Sequence, residues 1–300
     1  MAVGYPGTIL TSPDGRTWTA QHSGTSHSLY GVAWSGSRFV AVGQDSTILT
    51  SPDGRTWKVQ HSSTSSGLVG VAWSGSQFVV VGSSGTILTS PDGRTWTAQH
   101  SSTSQILYGV AWSGSQFVAV GSSGTILTSP DGHTWTVQNS GTSSGLTGVA
   151  WSGSQFVAVG VAVGTGGNIL TSPDGRTWTA QHSGTSQYLY GVAWSGSQFV
   201  VVGTGGTILT SPDGRTWTVQ HSGTSPTLLG VAWSGSQFVV VGTEGTILTS
   251  PDGRTWTAQH SGTSSDLFGV AWSGSQFVAV GSSGTILASP DGRTWTAQHS

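Results

Sequence analysis

Cysteine is absent from this 300-residue chain, which excludes disulfides, thiolate metal sites and a cysteine nucleophile. The absence names no compartment. Charge is scarce too: 7% of residues are charged, and the net charge is −2. Such a chain carries no basic footprint, so neither nucleic acid nor an anionic membrane is expected as a partner. No apolar run is long enough to span a bilayer. The start, M-A-V-G-Y-P-G, has neither the basic region nor the apolar stretch of a signal peptide. Helical periodicity is missing throughout. Outside one recurring turn the only charged side chains are Arg38, Asp45, Lys58, Glu244 and Asp266.

What is present is repetition. S-P-D-G-R-T-W, or one near-identical variant, recurs with its tryptophan at Trp18, Trp57, Trp96, Trp135, Trp178, Trp217, Trp256 and Trp295. The steps are 39 residues, with a single step of 43 between Trp135 and Trp178. A fixed period near 40 marks a repeat architecture. The 47 glycines and 10 prolines fit short strands joined by tight turns.

One repeat reads as a hairpin series. From Tyr108, Y-G-V-A-W, Q-F-V-A-V-G, T-I-L-T-S and W-T-V-Q-N are runs of β-branched and aromatic residues. Short Gly/Ser/Pro/Asp turns separate them. Runs such as Phe117–Val120 are apolar on both faces, so each sheet must be covered on both sides. Four-stranded sheets arranged radially achieve that, which predicts an all-β fold, a β-propeller of four-stranded antiparallel blades. The whole chain, 1-300, is expected to be a single propeller domain. Its blades divide as an incomplete one at 1-26, then complete ones at 27-65, 66-104, 105-143, 144-186, 187-225, 226-264 and 265-300. The first strand, with Trp34, Trp73, Trp112, Trp151, Trp194, Trp233 and Trp272, occurs only seven times. Eight sectors with a defective first blade are therefore expected; seven blades with a displaced N-terminus are the alternative. Met1 stands where other copies have valine in F-V-A-V-G, as if the chain were cut inside a longer array.

The recurring S-P-D-G-R-T-W resembles the Asp-box, or bacterial neuraminidase repeat, of sialidase-like and sortilin-like propellers and of a photosystem assembly factor. The likeness covers essentially the whole chain. It departs from the usual S-x-D-x-G-x-T-W by one residue between Asp and Gly, so a tighter turn is expected. The eight aspartates Asp14, Asp53, Asp92, Asp131, Asp174, Asp213, Asp252 and Asp291 read as turn staples, each bonding to backbone N–H groups two residues on. One carboxylate per blade cannot assemble the six to eight oxygens of a Ca²⁺ site. The box tryptophans fold beneath the hairpin. The resemblance implies that these turns lie on the face opposite the ligand site.

Other constellations give little. Seven of the nine histidines (His22, His61, His100, His182, His221, His260 and His299) share one repeat position after the fourth strand. Successive blades hold them roughly 15 Å apart on ordinary strand spacing, too far for a common zinc. His133 replaces a box arginine. The first-strand tryptophans are expected in the interblade core. The resemblance implies a tyrosine nucleophile, a glutamate and an arginine cluster for sialidase chemistry. Arg38 cannot supply that cluster alone, with the box arginines on the rim opposite the ligand face. No enzyme activity, metal or cofactor is expected.

The copies differ in two places, the connection into each blade and the turn between its second and third strands. The candidate ligand face is therefore His27, Tyr30, Asp45, Gln105, Tyr108, Gln187, Tyr188, Tyr190, Glu244 and Asp266, together with the enlarged Val161–Asn168 loop. The expected function is a non-enzymatic structural or binding scaffold. Near identity of the copies points to a recently amplified or engineered array with no evolved ligand. The alternative is a carbohydrate- or peptide-binding module on this loop face, and a degenerate sialidase-like glycosidase ranks behind it. The incomplete blade leaves an unpaired edge through which self-association is expected.

Overall fold

Runs of four to six apolar residues can lie flat in a sheet only if both sheet faces are covered, and the arrangement of the sheets supplies that cover. A computed structural model describes residues 1–12, 18–161 and 167–298. It contains eight antiparallel sheets in chain order, seven of four strands and the first of three. In the fourth sheet the strands are Leu107–Trp112, Phe117–Gly121, Ile126–Ser129 and Thr136–Gln138, each paired to the next. Phe117 sits opposite Ser129 and Ile126 opposite Gln138. The sheets form a ring, so the chain is a β-propeller of eight sectors, and blades are numbered 1 to 8 along it.

Strand alternation sends successive side chains to opposite neighbours. Phe117 and Ala119 of blade 4 pack against Val79, Val81 and Ile87 of blade 3. Val118 and Val120, between them in sequence, pack against Leu146, Phe156 and Leu170 of blade 5. All of these are essentially fully buried. Each such valine, leucine, isoleucine or phenylalanine contributes about 1.5–3 kcal/mol when withdrawn from water. The core is thus a ring of interblade seams, one between each neighbouring pair.

Blade 1 comprises Ala2–Gly4, Thr8–Thr11 and Thr19–Gln21. It closes the ring on both sides. Ala2, Leu10 and Trp18 meet Ile286, Val278 and Val280 of blade 8. Met1, Val3 and Ile9 meet Leu29, Ala41 and Leu49 of blade 2. Eight sectors, with the first lacking its innermost strand, is the arrangement expected from the repeat count. The seven-bladed alternative falls. Blade 8 ends on its own fourth strand, Thr296–Ala297, so no strand is exchanged at the seam.

The first strands adjoin one another around the inside of the ring. Each carries a register shift: pairing in blade 4 passes from Leu107 opposite Gly121 directly to Gly109 opposite Val120, leaving Tyr108 out of the ladder. The same bulge recurs at Tyr30, Val69, Thr147, Tyr190, Leu229 and Phe268. No helix among the described residues is long and apolar enough to cross a membrane.

Candidate functional site

Two rims of the ring carry polar side chains, and they behave differently. On one, the Ser-Pro-Asp-Gly turn joins third and fourth strands. Asp53 Oδ1 accepts the backbone N–H of Arg55 and of Thr56, both at 2.8 Å, and the hydroxyl of Ser51 at 2.9 Å. Ser51 Oγ in turn accepts the Gly54 N–H at 2.8 Å. Trp57 lies under the turn and donates its indole N–H to the Gly54 carbonyl at 2.8 Å. The same bonds to the second and third N–H recur at Asp92, Asp131, Asp174, Asp213, Asp252 and Asp291. Asp14 lies outside the described residues. With those bonds made, each carboxylate is committed to its own turn, and no group of three metal-ligating side chains occurs among the described residues.

These bonds favour the ionised carboxylate. The N–H of Thr56, then that of Arg55, then the Ser51 hydroxyl hold Asp53 down at about 2. At Asp92 burial pushes upward, but the N–H groups of Thr95 and Arg94 outweigh it and the value is again lowered. The remaining five are lowered as well, led in each by the N–H of the turn threonine. A carboxyl whose folded pKa lies below its unfolded one stabilises fully above the unfolded value. That contribution is lost as pH falls through the folded value. Melting temperature should therefore hold steady down to about pH 4 and fall between about pH 4 and pH 2. Asp92→Ala should cost about 1 kcal/mol at neutral pH and flatten part of that acid limb. A flat melting profile across this window would show that the turns do not depend on their carboxylates.

The same rim ties neighbouring blades together. Gln77 donates its side-chain amide to the Asp131 carbonyl of the next blade. Gln116, Gln155, Gln198 and Gln237 repeat the contact on Asp174, Asp213, Asp252 and Asp291. Arg38 takes the glutamine's place in blade 2, and here the sequence reading is corrected. Arg38 is on the rim of the turn arginines, because the first-to-second and third-to-fourth connections leave a blade on the same side. It lines a cavity of about 540 Å³ with Arg94, Lys58 and Gln60.

The first-strand tryptophans are also less enclosed than expected. Each stacks on the phenylalanine opposite, from 4.0 Å between centroids at Trp34–Phe39 to 4.6 Å at Trp272–Phe277. Six of them are half-buried against the interblade cores, and Trp34 is 44% exposed. The strand-end histidines from His22 to His260, and His133, are exposed as expected. His299 lies outside the described residues.

The opposite rim gathers the loops in which the copies differ. His27 Nδ1 is 3.0 Å from Thr47 Oγ1, and its Nε2 is 3.6 Å from Asp45. Gln105 Oε1 accepts the hydroxyls of Ser122 and Ser123 at 3.0 and 3.1 Å. Gln187 Oε1 accepts the Thr204 hydroxyl at 2.6 Å, and that hydroxyl accepts the Tyr188 N–H at 3.0 Å. Asp266 accepts the backbone N–H of Glu244 from the neighbouring blade at 3.0 Å. The connections and the second-to-third turns therefore meet on one rim. Glu244 and Gly245 there are both left-handed, at φ 58 and 68. A side chain at Gly245 would also strike the Thr263 carbonyl. Tyr30, Tyr108 and Tyr188 are exposed, and Tyr190 is half-buried. Residues 162–166 of the enlarged loop lie outside the described residues.

Several predicted residues are thus spent on structure: Gln105 on the serine turn, Asp266 on Glu244, and His27 on Thr47 and Asp45. Two groups escaped the sequence reading. The interblade glutamines have partners 54 to 58 residues away, which no local pattern reveals. The bulge that lifts Tyr108 and its equivalents from the ladder appears only in the pairing.

No protein-family model matches the chain, and no curated protein does. Solved structures do. The structure described as YCF48 bound to D1 peptide has a TM-score of 0.69 at 19% identity, covering 96% of this chain and 97% of that one. YCF48 from Cyanidioschyzon merolae gives 0.67 at 18% identity, covering 96% and 98%. The computationally designed Ika8 protein gives 0.74 at 17% identity, covering 93% and 89%. The likeness is one of fold. At such identity a ring of blades is what is shared, and side chains on either rim are this chain's own.

Proposed function

We propose that this chain is a non-enzymatic binding scaffold that takes an extended peptide across the loop rim around Gln187, Tyr188 and Tyr190. The observation that carries this reading is the segregation of sequence difference. Both variable segments of a blade lie together on one rim, while the staple turns repeat almost unchanged on the other. Tyr188 is 38% exposed and offers a flat apolar face with a polar tip. The Gln187 amide nitrogen has no hydrogen-bond partner among the described residues and can donate to a peptide carbonyl. A protein of similar fold, YCF48, was solved with a bound peptide, which favours peptide over glycan. We read the S-P-D-G-R-T-W turns as Asp-boxes acting as staples, and the near identity of the blades as recent amplification or engineering. The second origin is supported by the likeness to a designed protein.

Peptide and glycan arrays probed with the whole chain test the reading. A peptide hit should lose roughly tenfold in affinity in Tyr188→Ala, about 1.4 kcal/mol, with melting unchanged. Unaltered affinity would overturn the placement, and saturable binding to a glycan alone would establish the carbohydrate reading. Release of chromophore from an artificial sialoside would overturn the non-enzymatic assignment.

A further inference from the structure

Two cations break the repeat, and the fold brings them together. Arg38 stands where the other six complete blades have glutamine, from Gln77 to Gln276. Lys58 stands where every other blade has threonine, from Thr19 to Thr296. No other lysine or arginine lies outside the recurring turn, and both belong to blade 2. Together with Arg94, from the turn of blade 3, they line one cavity of about 540 Å³. Thr50, Thr56 and Gln60 supply the rest of its polar wall. Three of the nine lysines and arginines in the chain thus share a single cavity. The corresponding places between blades 4 and 5 hold Gln116, Thr136 and Arg176, with one cation among them.

Strand geometry explains the convergence. Lys58 lies opposite Thr50 in the ladder, and side chains two apart share a face, so Thr50, Lys58 and Gln60 look the same way. Gln60 donates to the Thr50 hydroxyl at 2.9 Å, and its own Oε1 has no partner among the described residues. Arg38 reaches across the seam as the glutamines do. A Cβ on Gly93 would lie 2.9 Å from Arg38 Cδ, as one on Gly132 would strike the Gln77 amide. Glutamine ends on the carbonyl of the next turn, whereas the guanidinium of Arg38 continues beyond it. Among the described residues the head groups of Arg38 and Lys58 have neither a hydrogen-bond partner nor an ion pair. Asp53 and Asp92, the carboxylates of the two adjoining turns, accept the N–H groups of their own turns and do not line the cavity. Arg94 lies near enough to Asp92 for the two charges to interact, so Arg38 and Lys58 are the uncommitted pair.

We propose that this cavity binds a phosphate monoester of a small sugar or polyol. Arg38, Lys58 and Arg94 surround the phosphate, while Thr56 and Gln60 meet the hydroxyls of the carbon skeleton. A guanidinium pairs with phosphate through two parallel N–H bonds, and an ammonium adds a mobile point charge. Above its second pKa, near about 6, such an ester carries a second negative charge. Three cations suit that dianion better than the single charge of a carboxylate or a sulfate ester. The volume lies within the range of small-molecule sites. A long polyanion finds no track to follow, because the turns of the seams on either side offer only Arg55 and His133. The site lies on the turn rim and is separate from the loop-rim residues around Tyr188.

The test is calorimetric titration of the whole chain with glucose 6-phosphate at low salt and about pH 7.5, where the ester is doubly charged. One saturable site per chain is expected, weakened by added salt. Glucose 6-sulfate should bind less tightly and glucose not at all. Arg38→Gln and Lys58→Thr each restore the residue of the other blades, so both variants should melt like the parent. Each should lose roughly tenfold in affinity. Installing the pair at another seam, Gln116→Arg with Thr136→Lys beside Arg176, should raise the stoichiometry from one to two. Tyr188→Ala should leave this affinity unchanged, so failure here and failure of the loop-rim reading are told apart. Absence of saturation, equal binding of glucose or of the sulfate ester, or indifference to both reversions would overturn the proposal. Inorganic phosphate bound as tightly as the ester would remove the sugar from it. A phosphoserine peptide bound more tightly than the sugar ester would overturn the small-molecule assignment.

Discussion

Replacing Phe117 with alanine is expected to remove about 3–5 kcal/mol of stability, among the largest losses from any single truncation in this chain. The side chain is fully buried and stands where blade 4 meets Val79, Val81 and Ile87 of blade 3. Its ring lies 4.3 Å from that of Trp112 and 6.2 Å from that of Trp135, both tilted, so one truncation breaks two aromatic contacts. Such pairs contribute about 0.5–1.5 kcal/mol each beyond the area they bury. The surrounding sheets are pinned by their ladders and cannot close on the void, which places the cost at the upper end of the range. Phe39 provides the internal comparison. It occupies the same repeat position but faces blade 1, packs near Met1 and Val3, and is only half-buried. Phe39→Ala should cost clearly less. Denaturant unfolding of both variants decides the matter: equal losses would mean that the seam at blade 1 is as tight as the others.

That difference between two identical residues marks what could be read from the sequence and what could not. Strand placement was legible because turn chemistry and apolar runs are local, and the repeat period fixed the number of sectors. The open first blade was legible from counting Trp34 and its equivalents against Trp18 and its equivalents. The staple was legible as well, since Asp53 bonds to groups two and three residues away. Contacts across a seam were hidden. Gln116 reads as a surface residue after a serine turn, yet it donates to Asp174 of the next blade. Arg38 was set apart from the turn arginines because adjacency on a rim depends on which strand ends share a side, not on spacing in the chain. The loop face was legible as a place and less so as chemistry. Gln105 and Asp266 stand in variable positions, but their oxygens are satisfied by Ser122 and by the Glu244 N–H. Exposure of Tyr188 survives because its backbone, not its ring, is what Thr204 holds.

Extending the chain ahead of Met1 with Leu-Tyr-Gly-Val-Ala-Trp-Ser-Gly-Ser-Gln-Phe is expected to raise the melting temperature by about 5 °C or more. The segment restores the repeat in register, with its phenylalanine immediately before Met1. By analogy with Phe117 against Val79 and Val81, that ring would pack on Val278 and Val280, which are half-buried as the chain stands. The leucine and valine of the new strand would enter the seam with blade 8, as Leu107 and Val110 enter that with blade 3, and the leucine alone is worth about 1.5–3 kcal/mol of burial. Ordering each added residue opposes this by about 1–2 kcal/mol, so the net gain is a small part of the gross. The extended chain should therefore melt higher. It should also bring Phe39→Ala closer to Phe117→Ala in cost, since blade 1 would then hold Met1 and Val3 firmly against blade 2. Unchanged melting would mean that the ring gains nothing from its eighth inner strand, and that the open edge beside Ala2–Gly4 is already as stable as a filled one.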